Sequence, residues 1–483
     1  MPDPARHDLD DFDARIAGSG LFDPSRPLAL ARAPGRLDVM GGIADYSGSL
    51  VLQWPIREAA LAAAQQAGDG TLRITSLPGS AGGPARSIEL PAEIILGLGD
   101  YESLDAARLR FERNPADHWA AYVVGPIAVL LRERPGLLPD RSGGLRVAVR
   151  SDVPEGKGVS SSAALEVSVM RAVAGLFGVE IDGAELARLC QVAENVVVGA
   201  PCGIMDQMAS ALGRADRLLA LLCQPAEVRG FVAAPPGVAF WGVDSGIRHA
   251  VAGSDYSSVR VGAFMGYRML ADLAGLGPIT RADDGVLHIE DPRWGGYLAN
   301  LAPEEFAARF EPDLPESITG AEFLARYGGT TDPVTRVDPA RTYAVRLPTA
   351  HPIGENARVR LFAELLEGGP GEAELRAMGD LMVASHASYS ACGLGSDGTD
   401  RLVELVREAG PGSGLYGAKI TGGGSGGTVA VLGRADAGDA VAGVARRYER
   451  ETGREAYVFT GSSPGACAVG VRVRFADRGI EER

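Results

Sequence analysis

Nowhere does the sequence run for the eighteen or more apolar residues that a membrane-spanning helix requires, so the chain is expected to stay out of the bilayer. Basic residues are in deficit. The 47 Lys and Arg against 62 Asp and Glu leave a net charge of −15, which argues against nucleic acid as a partner. Cysteine is scarce. Cys190, Cys202, Cys223, Cys392 and Cys467 form neither a disulfide framework nor a zinc motif, and their odd number fits reduced thiols in a cytoplasm. Met1 to Asp13 are acidic and polar, without the basic and apolar segments of an export signal. The Walker pattern and the dinucleotide pattern G-x-G-x-x-G are both absent. What remains, for 483 residues of which 46% are apolar, is a cytoplasmic globular protein of two or three domains.

The most informative stretch present is Pro154-Glu155-Gly156-Lys157-Gly158-Val159-Ser160-Ser161-Ser162-Ala163-Ala164, a glycine-rich turn running into three serines and a strong helix former. Such a segment suits a phosphate. The glycines let backbone N–H groups crowd an anion, the hydroxyls reach phosphate oxygen or Mg²⁺, and the helix that follows aims its dipole at the charge. Lys157 reads as a flexible exposed lysine. A turn before a helix could equally be a plain N-cap, so the motif needs company.

Two further blocks supply it: Ala33-Pro34-Gly35-Arg36-Leu37-Asp38-Val39-Met40-Gly41-Gly42-Ile43-Ala44-Asp45-Tyr46-Ser47-Gly48 and Lys419-Ile420-Thr421-Gly422-Gly423-Gly424-Ser425-Gly426-Gly427. In this order the three blocks resemble the signature motifs of the GHMP small-molecule kinases, the galactokinase branch in particular. Gly203-Ile204-Met205-Asp206-Gln207, the region from Gly246 through His249 to Tyr256, and His351-Pro352-Ile353-Gly354-Glu355 also resemble segments of that branch. The run Gly41 to Gly48 and the tail Gly461 to Gly465 resemble most the kinase domains of plant L-arabinokinases.

The resemblance implies ATP and Mg²⁺ as cofactors and a free sugar as acceptor. It implies Pro154, Gly156, Gly158, Ser160, Ser161, Ser162, Ala163, Gly423 and Gly424 around the nucleotide, and Ser161 or Ser162 with Glu194 on the metal. It implies Asp206 with Arg36 at the transferred phosphoryl, and Asp45, Gly42, Ile43 and Tyr256 around the sugar. Small and apolar neighbours make a carboxylate at Asp206 expensive unless it is used or paired. It serves as base for the anomeric hydroxyl, or it only orients that hydroxyl while Arg36 lowers the hydroxyl's pKa; the sequence leaves both open. Where galactokinases carry Gly-Glu-His-Thr-Asp-Tyr, this chain has Gly41-Gly42-Ile43-Ala44-Asp45-Tyr46. The resemblance assigns that Glu-His pair to the hydroxymethyl group of galactose, and L-arabinopyranose is galactopyranose without it. The expected activity is therefore ATP-dependent formation of L-arabinose 1-phosphate. The alternatives are a kinase for galactose, galacturonate, glucuronate or a heptose, and a non-catalytic sugar and ATP sensor.

Short strands and helices mixed without regular alternation predict an α+β fold. The resemblance implies a ribosomal protein S5-like first domain and a ferredoxin-like second one. The expected limits are a loose arm over 1–25, a first domain over 26–238, and a second over 239–483 with an insertion at about 275–345. The oligomeric state, monomer or homodimer, stays open.

Overall fold

The computed structural model describes residues 4–79, 85–91, 101–137, 143–248, 254–283, 285–477 and 479–483. His249 of the expected sugar region lies outside them.

The first layer is a sheet that has nine strands among the described residues. Its centre is β1 (Leu28–Met40) paired antiparallel to β2 (Leu50–Ala67), which is long enough to serve two partners, since Ala60 to Ala67 pair with β5 (Gly144–Ser151) and Leu50 to Gln53 with the strand Arg217–Leu222. Beyond β5 in the sheet lie β3 (Thr71–Leu77), parallel to β5, and β4 (Arg86–Pro91) on the edge.

Every residue of β1 is buried because both faces of this sheet are covered. Alternation sorts its side chains. Ala29, Ala31 and Ala33 face a cluster with the helices Ala121–Glu133 and Ser161–Leu176, where small side chains let helix and sheet approach closely. Leu28 and Leu30 face the other way, toward Leu9, Phe12 and Ile16. Those three belong to α1 (Pro4–Ala17), so the expected loose arm over 1–25 is instead a docked helix. Its Asp and Pro content reads as disorder, but Asp8, Asp10 and Asp13 pair with Arg32, Arg472 and Arg474. Its three apolar side chains, each worth about 1.5–3 kcal/mol on burial, close a face that would otherwise be wet.

The second layer is a four-stranded sheet in which the strand Val238–Asp244 lies between the strand Thr428–Arg434 and the short strand Val458–Phe459. It is covered by the helices Asp397–Ala409 and Gly438–Thr452. The chain then returns: Val471–Phe475 pairs with Leu28 to Ala31 of β1. A second domain running unbroken from 239 to 483 is therefore corrected, since its last strands complete the first sheet. Residues between the helix Ser254–Leu273 and the helix Arg346–Glu367 form two short ribbons and two short helices around a core of their own, including Trp294, Phe306, Phe310, Phe323 and Tyr343.

Candidate active site

The first motif enters the site where β1 bulges between Pro34 and Arg36. A Cβ at Gly35 would stand 2.6 Å from the Val159 carbonyl oxygen, so glycine lets the strand lie against the loop over 154–160. Arg36, 2% exposed, ties three parts together. Its backbone N–H donates to Val159 O at 3.1 Å, and its Nη1 to Gly158 O at 2.7 Å. Its Nε and Nη2 both donate to Asp206 Oδ1, at 3.0 and 2.7 Å. Asp206 lies in the first turn of the helix Met205–Leu212, its side chain 21% exposed and its Oδ2 without a hydrogen bond among the described residues.

Gly156 and Gly158 both have φ of 70°, and Ser160, at φ 60°, stands in the left-handed region just before the helix Ser161–Leu176. Left-handed residues in quick succession build a backbone concavity suited to an anion. The Ser160 hydroxyl is buried without a hydrogen-bond partner among the described residues, a donor that an acceptor here would satisfy. Pro154 and the fully buried Ala163 bracket the turn. The C-terminal glycine block meets it backbone to backbone: a Cβ on Gly422 would fall 2.6 Å from Gly158 O, and one on Gly427 2.7 Å from Lys157 O. Gly423 is half-buried in the same block, and Gly424 packs on Leu394.

Lys157 is not the exposed lysine expected. Its Nζ lies 2.7 Å from Asp244 Oδ2 at the end of the strand Val238–Asp244, with 15% and 8% of the two side chains exposed. The pair links the loop to the second sheet. Removing one partner strands the other, so Lys157→Ala is expected to cost about 2 kcal/mol. In a denaturant double-mutant cycle with Asp244→Ala the two losses should fail to add. Additive losses would show that the pair does not couple the two parts.

Two carboxylates beside Asp206 are held near neutrality. Burial pushes the Asp45 carboxyl up to about 7, the Asp206 charge adds to this, and Arg260 opposes it. Burial and then Asp206 push Glu194 up to about 7 as well, against hydrogen bonds from Ser162, Cys202 and Gln207. Gln207 Nε2 donates to Glu194 Oε2 at 2.6 Å. Behind them Glu166 is fully buried and raised further, first by burial and then by Glu194. Such uncompensated oxygens fit a hard divalent cation. No group of three or more His, Cys, Asp or Glu among the described residues could hold a metal ion, so nucleotide phosphates would have to complete the shell of Ser161, Ser162 and Glu194.

A sign follows for pH. Carboxyls raised in the folded state favour it while protonated, so their contribution is lost as pH climbs from about 4 through about 7. Mg²⁺ requires the ionised form, so stabilisation by Mg·ATP should grow over that range. Thermal melts between pH 5 and 8 should show both trends, and Glu194→Gln should flatten both. A ligand-free melting temperature that changes with pH in wild type by the same amount as in Glu194→Gln would contradict the assignment.

Of the residues expected around the sugar, Asp45 is 4% exposed and its Oδ1 makes no hydrogen bond among the described residues. It reaches the turn before Asp206 because residue 203 is glycine: a Cβ there would sit 1.7 Å from Asp45 Oδ2. Tyr256, half-buried in the helix Ser254–Leu273, packs edge-on to Tyr46. Ile43 is 1% exposed, in a cluster with Val259, Tyr389 and Leu394 that Tyr256 joins. Gly42 departs from the expectation that it faces the sugar. Its φ is 48°, and a Cβ would stand 1.5 Å from the Tyr389 hydroxyl. That hydroxyl accepts from Ile43 N at 2.8 Å and donates to Gly422 O at 3.2 Å, binding the first motif to the last.

Several residues of the site escaped sequence reasoning. Arg260, 5% exposed, stands four residues after Tyr256, one helical turn on, and that spacing was the available signal. Its guanidinium forms a two-point pair with Asp332, both contacts 2.8 Å, donates to Cys202 O, and lies over the Tyr46 ring. Asp38 and Lys419, both fully buried, form an ion pair that joins β1 to the strand Leu415–Ile420, and Asp38 also receives Gly42 N and Gln53 Nε2. Glu355, from the His-Pro-Ile-Gly-Glu motif, accepts from Gly41 N and Ser385, so that motif braces the first one.

The model for the GHMP kinases N terminal domain matches residues 121–214, and that for the GHMP kinases C terminal matches 371–450. The L-arabinokinase of Arabidopsis thaliana is 45% identical over 505 aligned positions, covering 95% of this chain but 48% of its own length, so the chain spans about half of that relative. The galactokinase of Chloroflexus aurantiacus is 32% identical, with 89% of this chain and 90% of that one aligned. In structure, Lactococcus lactis galactokinase in complex with galactose superposes with a TM-score of 0.71 at 22% identity, over 95% and 98% of the two chains. With Arg36, Asp206 and both glycine loops assembled on this two-sheet frame, the chain belongs to the GHMP kinase family.

Proposed function

We propose that the chain transfers the γ-phosphoryl group of ATP to the anomeric hydroxyl of a free monosaccharide, L-arabinose, giving L-arabinose 1-phosphate and ADP. The observation that carries the reading is the Arg36–Asp206 pair held against Gly158 of the phosphate loop. It brings a proton acceptor and a fixed positive charge to the place where phosphate would lie.

The chain's own groups divide the work. Asp206 Oδ2 takes the proton of the anomeric hydroxyl as the hydroxyl oxygen attacks phosphorus. Arg36 holds Asp206 by Oδ1, and with three of its five N–H groups committed it keeps two for charge developing on the phosphoryl oxygens. Mg²⁺, held by Glu194 with the hydroxyls of Ser161 and Ser162, would offset charge on the phosphates. Asp45, Tyr256 and Arg260 position the sugar, and Ile43 gives it an apolar wall where a hydroxymethyl group would need a polar partner. The similarity to the Arabidopsis L-arabinokinase supports the choice of sugar.

An ADP-release assay over L-arabinose, galactose, galacturonate and glucuronate tests the proposal. Release should depend on L-arabinose above the other three. Release with none of them would contradict the kinase assignment.

A further inference from the structure

The helix that carries Tyr256 and Arg260 to the sugar site also lends Ser257 and Val261 to the wall of a cavity of about 320 Å³. That volume is at the lower end of the range for small-molecule pockets, about 300–1,000 Å³. Three arginines line it, Arg108, Arg336 and Arg341, against one acidic residue, Asp338. In a chain of net charge −15 this gathering runs against the overall balance. Arg336 and Arg341 make no ion pair among the described residues; Arg336 spends Nη1 on the main-chain carbonyls of Asp332 and Thr335. Arg108 reaches Asp105 and Glu112 only at 3.4 and 3.6 Å, and its buried Nε, the atom nearest Glu112, makes no hydrogen bond among the described residues. Arginine side chains lining one cavity with Ser257 suit the oxygens of a phosphate group, to which a guanidinium can donate two parallel N–H groups.

We infer that this cavity binds a small phosphorylated anion and that its occupancy is felt at the sugar site. Both anchors of Arg260 adjoin it. The Asp332 carboxylate that clamps Arg260 also receives Val334 N, Thr335 N and Thr335 Oγ1, and Val334, Thr335 and Arg336 line the cavity. The second anchor, Cys202 O, follows Pro201 of the cavity wall, and Asn195 of the same wall accepts from Cys202 N. An anion that draws Arg336 off its two carbonyls moves the turn over 332–336 and, with it, the clamp on Arg260. The effect therefore falls on the KM for sugar and not on that for ATP.

The test titrates the whole chain, with saturating Mg·ADP occupying the phosphate loop, against pyrophosphate and separately against glucose 1-phosphate. Wild type should bind at least one of them, and the double variant Arg336→Ala/Arg341→Ala should bind at least about tenfold more weakly. Pyrophosphate binding the tighter identifies a free inorganic anion as occupant; glucose 1-phosphate binding the tighter identifies a sugar phosphate. Both arginines are exposed, so the double variant should melt with wild type, and Arg341→Ala alone serves if it does not. The bound anion should shift the sugar KM by about threefold or more in wild type and leave the variant unmoved. No binding up to about 10 mM, or binding undiminished in the variants, overturns the site. An unmoved KM despite binding overturns the coupling. The titration does not depend on which sugar is the substrate.

Discussion

Asp206→Asn should lower kcat by about 10²- to 10⁴-fold while leaving the KM for ATP nearly unchanged. Asparagine keeps an oxygen where Oδ1 receives Arg36 Nε and Nη2, so the helix start and the guanidinium stay in place and only the proton acceptor is lost. Arg36→Ala is the informative contrast. It removes the Asp206 pair and the tie to Gly158 O together, so it should lower kcat and also loosen the nucleotide loop. Steady-state kinetics on the two variants separates the roles. Near wild-type kcat in Asp206→Asn would mean that the carboxylate only orients the hydroxyl.

Gly42→Glu with Ile43→His, the exchange that would copy galactokinases at the first motif, should yield unfolded protein rather than a galactose kinase. The Cβ of residue 42 would stand 1.5 Å from the Tyr389 hydroxyl and 2.7 Å from its ring carbon, and both partners are fixed from two sides. Overpacking of about 1–3 kcal/mol adds to about 1–2 kcal/mol for a side chain in the left-handed region, a large share of a domain's stability. Gly42→Ala should show most of that loss in a denaturant titration. Combined with Tyr389→Phe, which deletes the atom at 1.5 Å and leaves the carbon at 2.7 Å, the loss should shrink without vanishing. Full stability of Gly42→Ala would show that Tyr389 is free to move.

Motifs whose residue types are forced by local chemistry were legible in the sequence. The glycines and serines of 154–163 are of this kind, because close backbone approach tolerates few alternatives, whereas Arg36 beside Asp206 and the C-terminal glycine block against the loop over 154–160 followed from the family resemblance. Long-range dependence was hidden. Nothing near Pro4–Ala17 announces that β1, β2 and β5 have a second apolar face for Leu9, Phe12 and Ile16 to cover. Gly42 reads as a lost glutamate until Tyr389, almost 350 residues away, is seen in its place. Lys157 reads as exposed until Asp244 is found beside it. In each case a partner distant in sequence decides the role, and periodicity does not carry that information.

The sugar is decided most directly by competition, with L-arabinose and galactose together in one reaction and the two sugar 1-phosphates separated and counted. Ile43, buried among Val259, Tyr389 and Leu394, offers no hydrogen bond to a hydroxymethyl group, and leaving that hydroxyl unpaired costs about 1–3 kcal/mol. The expected ratio of kcat/KM is therefore about 10 to 200 in favour of L-arabinose. A ratio near one, or in favour of galactose, would contradict the pocket assigned to Ile43 and leave a sugar 1-kinase whose substrate is not L-arabinose in particular.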